Sequence, residues 1–504
     1  MIAVSVEKMR ELEQLAINEF NIPSTLLMEN AAYGFVLALK HEFCDLSSKK
    51  VCVICGKGNN GGDGFAIARH LHFLGAKVSI FPVCDTNELS GDAKKNFDIA
   101  KSMQIPFVDM LSSYDIIIDA IFGTGFHGDV PDNIAIIIDY INESEAFVAS
   151  VDIPSGVSAE NGQGVCFVRA DLCVTFGYAK LGHFIHPAKG AYKKLVVAPI
   201  SIPECNDECE VITGKTFDEI PKRQPNSHKG TFGKALAFVG SNGMAGAALL
   251  SGSAILKSGA GMATVASFDT LIPSLAHHFP SVMTYPIQTL NGRLCDNAAE
   301  LILKKCEGMN SCLIGCGLGM SDDVKSAVIS IIKNTKIPTV IDADGLNILS
   351  ENIDILKDKK ADILLTPHIL EFSRLSGYTV DEIKKNPYAL AKEFAKKYSV
   401  TLILKDSVTV IADPSGKTAV SPVENSGMAT AGSGDVLAGI ATALLSQSIA
   451  PFTAAKLSVY IHSAAGRIAA DTLGEYGMTS TDILESVPTA FINSCDIAPL
   501  IKEL

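Results

Sequence analysis

Three short segments in the first half of the chain combine glycine with asparagine, aspartate or serine. Five of the nine residues in Gly56-Lys57-Gly58-Asn59-Asn60-Gly61-Gly62-Asp63-Gly64 are glycine. The segment follows an apolar run, Val51–Cys55, and precedes a helical pattern from Phe65 to Leu74. A strand, a glycine-dense turn and a helix start are expected there. Such a turn brings backbone N–H groups close to a phosphate, and the helix dipole adds to the attraction. The spacing is neither G-x-G-x-x-G nor G-x-x-x-x-G-K-[ST], and a plain phosphate loop does not need the two asparagines and the aspartate. The second segment is Asp119-Ala120-Ile121-Phe122-Gly123-Thr124-Gly125 and the third is Asp152-Ile153-Pro154-Ser155-Gly156. Each begins where an apolar strand pattern ends. Oxygen ligands from asparagine, aspartate and serine suit a hard cation, and a carboxylate left free of the cation suits proton transfer. The blander alternative is that each aspartate caps its own turn.

In the second half the densest segment is Asn425-Ser426-Gly427-Met428-Ala429-Thr430-Ala431-Gly432-Ser433-Gly434-Asp435, ahead of a helical run, Val436–Leu445. Gly432–Asp435 reads as an anion hole at a helix N-terminus with a carboxylate beside it. The segment resembles one that ribokinase-like kinases use, which implies that N–H groups hold a transferring phosphate and the aspartate takes a proton from the attacking hydroxyl. Simple capping by Ser433 or Asp435 is the alternative.

The elements needed to position these segments follow from apolar periodicity. In the first 50 or so residues Val6, Met9, Leu12 and Ala16 recur at helical spacing, and a second helix follows Pro23 with Ser24 as its cap. Strands are expected at Val51–Cys55, Lys77–Phe81, Asp115–Asp119, Phe147–Asp152, Leu172–Phe176 and Leu195–Ala198, with helices at Phe65–Leu74, Asp92–Met103 and Ile134–Asn142. That alternation implies a parallel sheet covered by helices. Between 203 and 230 the chain turns polar and proline-rich, which sets a boundary near 212. The alternation then resumes at Lys234–Val239, Cys312–Ile314, Pro338–Ile341, Ile363–Leu365 and Leu402–Leu404. Polar and glycine residues sit just past the strand ends, where open α/β sheets bind ligands.

Bulk composition narrows the function classes. A chain of 504 residues exceeds one core. The net charge of −13 disfavours nucleic acid or an anionic membrane surface. No apolar window of about 18 residues is present, so no membrane span is expected, and no secretory signal is visible at Met1–Arg10. Thirteen cysteines, an odd number, argue against a disulfide framework and for a reducing, cytoplasmic compartment. Cys52 and Cys55 fall on opposite faces of a strand, and no histidine pattern completes a zinc site at Cys205 and Cys209.

The order Asn59–Gly64, then Asp119…Gly123-Thr124-Gly125, then Val151–Gly156 resembles the NAD(P)H-hydrate epimerase family over residues 1–212. The resemblance implies a Rossmann-like αβα domain that interconverts the R and S hydrates of NADH and NADPH. It also implies that Asn59, Asn60, Gly61, Gly62 and Asp63, with Gly123, Thr124, Gly125, Phe126, His127, Gly128 and Asp129, hold the substrate. Asn60, Asp119 and Ser155 would bind potassium, and Asp152 would act at the reacting ring. Inverting a hydroxyl-bearing carbon beside the ring nitrogen requires the C–O bond or the ring to open and reclose, and one carboxylate can move the proton both ways.

Residues 213–504 resemble the ADP- or ATP-dependent NAD(P)H-hydrate dehydratases, a branch of the ribokinase-like fold. Supporting segments are His228-Lys229-Gly230, Gly315…Gly319, Asp342–Asn347 and Thr366-Pro367-His368…Glu371. By this resemblance Ala247, Gly319, His368 and Asp435 contact the hydrate, Lys405, Asp406, Ser407, Val408, Thr409 and Gly434 contact the adenine nucleotide, and Asp435 is the base. Magnesium would accompany ADP or ATP, and a homo-oligomer is expected, with the apolar first helix suited to a subunit contact. Hydroxide is a poor leaving group, so phosphorylating the hydroxyl before elimination explains a kinase-like fold. Five residues depart from the pattern: Cys316, Ile369, Leu370, Asp406 and Ser426. His183, His186, His277, His278 and His462 read as structural. Two competing readings are a small-molecule kinase of hydroxymethylpyrimidine type and a non-catalytic first half.

Overall fold

The computed structural model describes residues 1–206, 208–492, 497 and 501–504. The chain divides into two compact units, one of residues 1–209 with the last residues of the chain, the other beginning at Glu210.

In the first unit a parallel sheet runs in the order Ile501–Glu503, Tyr192–Ala198, Ala170–Phe176, Phe147–Val151, Ile116–Ala120, Lys50–Cys55, Lys77–Pro82. Its central strands are buried along nearly their whole length, which is why they read as continuous apolar runs. The Ser24–Glu42 and Asn59–Phe73 helices pack on it through Phe35, Leu39, Phe65 and Ile67, all fully buried. The expected strand over Leu195–Ala198 begins earlier, at Tyr192. The helix expected from Phe65 begins six residues earlier, at Asn59. Ser24 is not the cap. Pro23 occupies that position without a side-chain bond, and Ser24 is the first helical residue.

Helix Val6–Asn18 buries Val6, Met9, Leu12 and Ala16 within this same chain. The stripe expected to serve a subunit contact is therefore consumed by the unit's own core. A short strand, Ile2–Val4, pairs in parallel with Ala179–Lys180, placing Val4 opposite Lys180.

The second unit carries parallel strands in the order Met283–Ile287, Met262–Phe268, Lys234–Phe238, Ser311–Ile314, Thr339–Ile341, Ile363–Leu365, Thr401–Leu404. An antiparallel extension, Thr409–Ala412 and Thr418–Ser421, follows. Helices Ala245–Lys257 and Ser433–Ser446 pack on one another, Gly439 allowing a close approach to Ala254 and Ser251. Among the described residues no helix is long and apolar enough to cross a membrane.

Candidate functional sites

In the first unit the segment Asn59–Asp63 forms the opening turn of helix Asn59–Phe73, with Gly58 before it. Gly61 cannot carry a side chain. A Cβ there would lie 1.9 Å from the Gly56 carbonyl oxygen, so the helix start sits directly on the turn it leaves. The first N–H groups of a helix lack intrahelical acceptors, and such groups can hold an anion.

Asp119 ends strand Ile116–Ala120 and is fully buried. One carboxylate oxygen accepts from Ser150 Oγ at 2.9 Å and from the Ser155 N–H at 2.8 Å; the other accepts from Ser155 Oγ at 2.5 Å and the Ile121 N–H at 3.3 Å. Burial pushes its pKa up while these donors pull the other way. Ser155 Oγ also accepts from the Phe122 N–H at 2.9 Å. The Asn60 amide lies against the same loop, since a Cβ on Gly123 would meet Asn60 Oδ1 at 2.9 Å. Asn60 Nδ2 is buried and has no hydrogen-bond partner. Asn60, Asp119 and Ser155 are thus within one neighbourhood and offer oxygen donors, the set that suits an alkali cation rather than a transition metal. Beyond Gly123, the Phe122 and Phe126 rings stack at 4.7 Å, while Gly125, His127, Gly128 and Asp129 are exposed.

Asp152 sits just after strand Phe147–Val151 with φ 66°, a left-handed conformation that costs energy for a residue with a side chain. Four neighbours fix it. Its N–H donates to the Val174 carbonyl at 2.8 Å. Its own carbonyl accepts from His183 Nε2 at 2.9 Å. Its Oδ1 accepts from Lys180 Nζ at 2.6 Å and Thr175 Oγ1 at 2.9 Å. Burial alone would raise the Asp152 carboxyl, but the Lys180 ammonium outweighs it and holds the group below the usual carboxylate range. Asp63 and Glu13 respond oppositely. Burial, reinforced by the negative charge of Asp152, pushes Asp63 well up. Burial also raises Glu13, with Lys180 opposing and Asp152 adding to the rise. One carboxyl held toward its ionised form and two held toward their neutral forms lie in the same region, the pattern expected for base and acid.

Lys180, Thr175 and Glu13 carry no glycine-rich or strand-end signature, and the sequence reading missed them. His183 is held between Lys180 and the Asp152 carbonyl. Its Nδ1 accepts from the Lys180 N–H at 3.0 Å, which leaves the proton on Nε2, and burial with the Lys180 charge lowers it to about 4.

In the second unit Gly432, at φ 90°, precedes helix Ser433–Ser446, so Gly434 and Asp435 lie in its first turn. Ser433 Oγ is 3.2 Å from His462 Nε2. Lys405 Nζ reaches Asp342 Oδ1 at 3.1 Å, and a Cβ on Gly434 would meet that ammonium at 3.3 Å. Asp342, nearly fully buried, also accepts from Thr366 Oγ1 at 2.7 Å and, at 3.6 Å, from the Cys316 thiol. Ligand atoms of Cys316, Asp342 and Asp435 lie within 4.8 Å of one another. Burial, then the Asp342 charge, raises Asp435 to about 6. Burial would lower Lys405, but the Asp342 and Glu371 carboxylates outweigh it and raise the group. Burial lifts Glu371 to about 7. A cation, an anion hole and a carboxylate of near-neutral pKa converge at one helix N-terminus. That can hold a phosphate and remove a hydroxyl proton.

His368 caps helix Ile369–Ser376. Its Nδ1 accepts from the N–H groups of Leu370 and Glu371, at 3.1 and 3.3 Å, and Glu371 returns a bond to the His368 N–H at 2.9 Å. Its ring is exposed, with Nε2 3.5 Å from Glu371. Gly319 donates its N–H to Asp344 at 2.8 Å, and Ala247 lies against the same loop through Gly317. Lys405 is drawn into the buried cluster, whereas Asp406 and Ser407 are exposed and Val408 is buried ahead of strand Thr409–Ala412. Asp406 is thus in the exposed part of the turn. Asp342, Thr366 and Glu371 were quoted in the sequence only as pattern. The pairing of Asp342 with Lys405 and Thr366, and the charge of Glu371 beside Lys405, had no local signal.

A family model described as NAD(P)H-hydrate dehydratase matches residues 235–489, and one described as YjeF-related protein N-terminus matches residues 24–182. A bifunctional NAD(P)H-hydrate repair enzyme Nnr of Moorella thermoacetica is 35% identical over 520 residues, covering 98% of this chain and 97% of its own length. The chain belongs to the bifunctional NAD(P)H-hydrate repair enzymes. A repair enzyme of the same description from Escherichia coli is 31% identical over 447 residues, covering 86% of this chain and 84% of its own. The dehydratase half has the ribokinase-like fold. A ribokinase-like superfamily protein from Enterococcus faecalis superposes with a TM-score of 0.50 at 25% identity, over 57% of this chain and 97% of that one. The epimerase half supplies the parallel sheet with Asp152 at one strand end.

Proposed function

We propose that this repair enzyme acts on hydrated NADH and NADPH with one reaction per unit. The first unit interconverts the R and S hydrates. The second dehydrates the S hydrate at the expense of an adenine nucleotide, ADP in this reading, giving AMP and phosphate. The observation that carries the second activity is the convergence of Lys405, Asp342 and Asp435 on the N-terminus of helix Ser433–Ser446. Asp435 takes the proton of the hydrate hydroxyl, whose oxygen bonds to the terminal phosphorus of the nucleotide as AMP leaves. Phosphate then departs from carbon, and loss of a ring proton restores the dihydropyridine. Lys405 and the N–H groups at Gly434 hold the phosphate as charge shifts. The carboxylate of Asp342 is an oxygen donor that fits magnesium, which would neutralise phosphate charge when bound, leaving Asp435 free as the base.

In the first unit the substrate phosphates lie against the Asn59–Asp63 turn and the Gly123–Asp129 loop, and Asp152 shuttles the proton as the hydrated centre opens and recloses. Asn60, Asp119 and Ser155 would hold potassium, which keeps Asp119 ionised while Asp152 stays free. Ala247, Gly319 and His368 line the hydrate side of the dehydratase site, and the Lys405–Thr409 turn lines the nucleotide side. The enzyme is cytoplasmic in this reading, consistent with free thiols such as Cys44, Cys52 and Cys84. It is a homo-oligomer whose contacts use exposed side chains such as Phe20, Leu26 and Tyr33.

The test is incubation with mixed R and S hydrates, with ADP, with ATP and with neither, following dihydronicotinamide absorbance. Both hydrates should be consumed when nucleotide is present, and only interconversion should occur without it. Replacing potassium by a large organic cation should slow interconversion alone. A stable phosphorylated product would return the second unit to small-molecule kinase chemistry.

A further inference from the structure

Asp152 and Lys180 form an ion pair that the strand ends by themselves do not require. Lys180 is 2% exposed, and its three ammonium hydrogens have three acceptors: Asp152 Oδ1 at 2.6 Å, Thr175 Oγ1 at 2.8 Å and the Phe176 carbonyl at 3.1 Å. Nothing about the lysine is left free to swing. Its backbone is pinned as well, by the parallel pairing of Val4 with Lys180 and by the bond from its N–H to His183 Nδ1. The same His183 ring reaches over to the Asp152 carbonyl. A buried lysine saturated in this way stabilises only if its charge is matched, and the match here is the carboxylate assigned to proton transfer.

Resting on the epimerase reading above, we infer that Lys180 is a positioning residue of the first reaction: its fixed ammonium holds Asp152 as an oriented anion and sets the pH below which epimerisation stops. The groups facing Asp152 from the surrounding elements are few. Strand Ala170–Phe176 presents Cys173 and Thr175, the segment after strand Ala179–Lys180 presents His183, helix Asn59–Phe73 presents Asp63, and helix Val6–Asn18 presents Glu13. His183 is neutral near pH 7, because burial and the Lys180 charge depress it to about 4. Burial and the charge of Asp152 raise both the Cys173 thiol and Asp63, favouring their neutral forms. Lys180 is therefore the close cation at the carboxylate. Without it, burial and the neighbouring acids would drive Asp152 toward its protonated form, which cannot accept a proton. The sign follows: Asp152 is held down, so activity persists as pH falls until the depressed pKa is crossed. Removing the cation moves that limit upward.

The experiment compares full-length wild type, Lys180→Gln and Lys180→Arg. Glutamine keeps a donor for Asp152 but loses the charge, and arginine keeps the charge. The rate of R–S interconversion without nucleotide is measured from pH 4.5 to 9. An opposite charge in contact shifts a carboxyl by about 1–3 pH units. The acid limb of Lys180→Gln should therefore rise by at least about one unit, with activity recovering at high pH. Lys180→Arg should keep a limb near that of wild type. A Lys180→Gln profile that overlays wild type, or one lowered equally at every pH, overturns the inference. If Lys180→Gln does not fold, Thr175→Val removes one of the bonds on both groups and should shift the limb in the same direction by less. An unmoved limb there overturns it too. Wild type that leaves the R hydrate unchanged defeats the epimerase reading itself, a result distinct from either.

Discussion

At the scale of single residues, burial is the force that makes these carboxylates reactive, and the neighbouring charge decides in which direction. Asp435 lies beside Asp342 in a poorly solvated pocket, so its carboxyl rises to about 6. Dehydration needs the ionised form. The acid limb of its rate should fall near pH 6, where Asp435 protonates. Asp435→Asn should lower turnover by roughly 10²–10⁴-fold, the usual range for a lost base. The same substitution carries a stability prediction. A carboxyl whose folded pKa is raised costs stability above its unfolded pKa, and the cost grows as pH rises through the folded value. Asp435→Asn should therefore melt higher than wild type at pH 8, by an amount on the order of 2–3 kcal/mol, and the gain should vanish below about pH 4. Thermal melts at the two pH values check it. An equal shift at both would mean that the charge is not the cause.

At the scale of elements, each site is built on the first turn of a helix that begins at a glycine. Helix Asn59–Phe73 starts so close to the preceding turn that a Cβ on Gly61 would sit 1.9 Å from the Gly56 oxygen. Alanine normally favours a helix by about 1 kcal/mol over glycine. Here the overlap with backbone should reverse the sign, at about 1–3 kcal/mol of destabilisation. Gly61→Ala should lower the melting temperature of the first unit and abolish epimerisation, because the substrate-facing N–H groups move with the turn. Nucleotide-dependent dehydration of purified S hydrate should persist. Retained epimerisation in a folded Gly61→Ala protein would show that the turn need not sit so tightly.

At the scale of the whole molecule, two units each carry a complete set of reactive side chains. Asp152→Asn should reduce epimerisation by roughly 10²–10⁴-fold. It should leave dehydration of the S hydrate nearly intact, so a mixture of hydrates would be only partly consumed with ADP. Equal loss of both activities in the folded variant would contradict the division. The composition shift near 212 places everything after it in the second domain. Strand Ile501–Glu503 instead pairs with Leu195–Val197 of the first unit's sheet. Deleting residues 501–504 exposes the edge of strand Tyr192–Ala198. It should lower the temperature at which epimerisation is lost, with dehydration of S hydrate unchanged, as activity measured after graded heating would report.

The amino-acid sequence by itself determined which segments form the sites. Glycine spacing, apolar strands and a polar residue at each strand's end are local patterns, and Asn59–Asp63, Asp119, Asp152 and Gly432–Asp435 all fall where those patterns place a ligand. What local pattern cannot carry is the partner across the fold. Asp152 meets a lysine 28 residues further along, and Lys405 meets an aspartate 63 residues earlier. Both pairings arise because the topology brings distant segments together: strand Ile363–Leu365 lies between the strands that lead to Asp342 and Lys405, and Lys180 lies on a strand outside the sheet whose strand Phe147–Val151 leads to Asp152. Hydrophobic periodicity marks that a strand is buried but not which strand lies beside it. The pKa of each carboxyl depends on those neighbours and on depth from water, so only the tertiary structure decided that Asp152 is held ionised while Asp63 and Asp435 are held toward the neutral form.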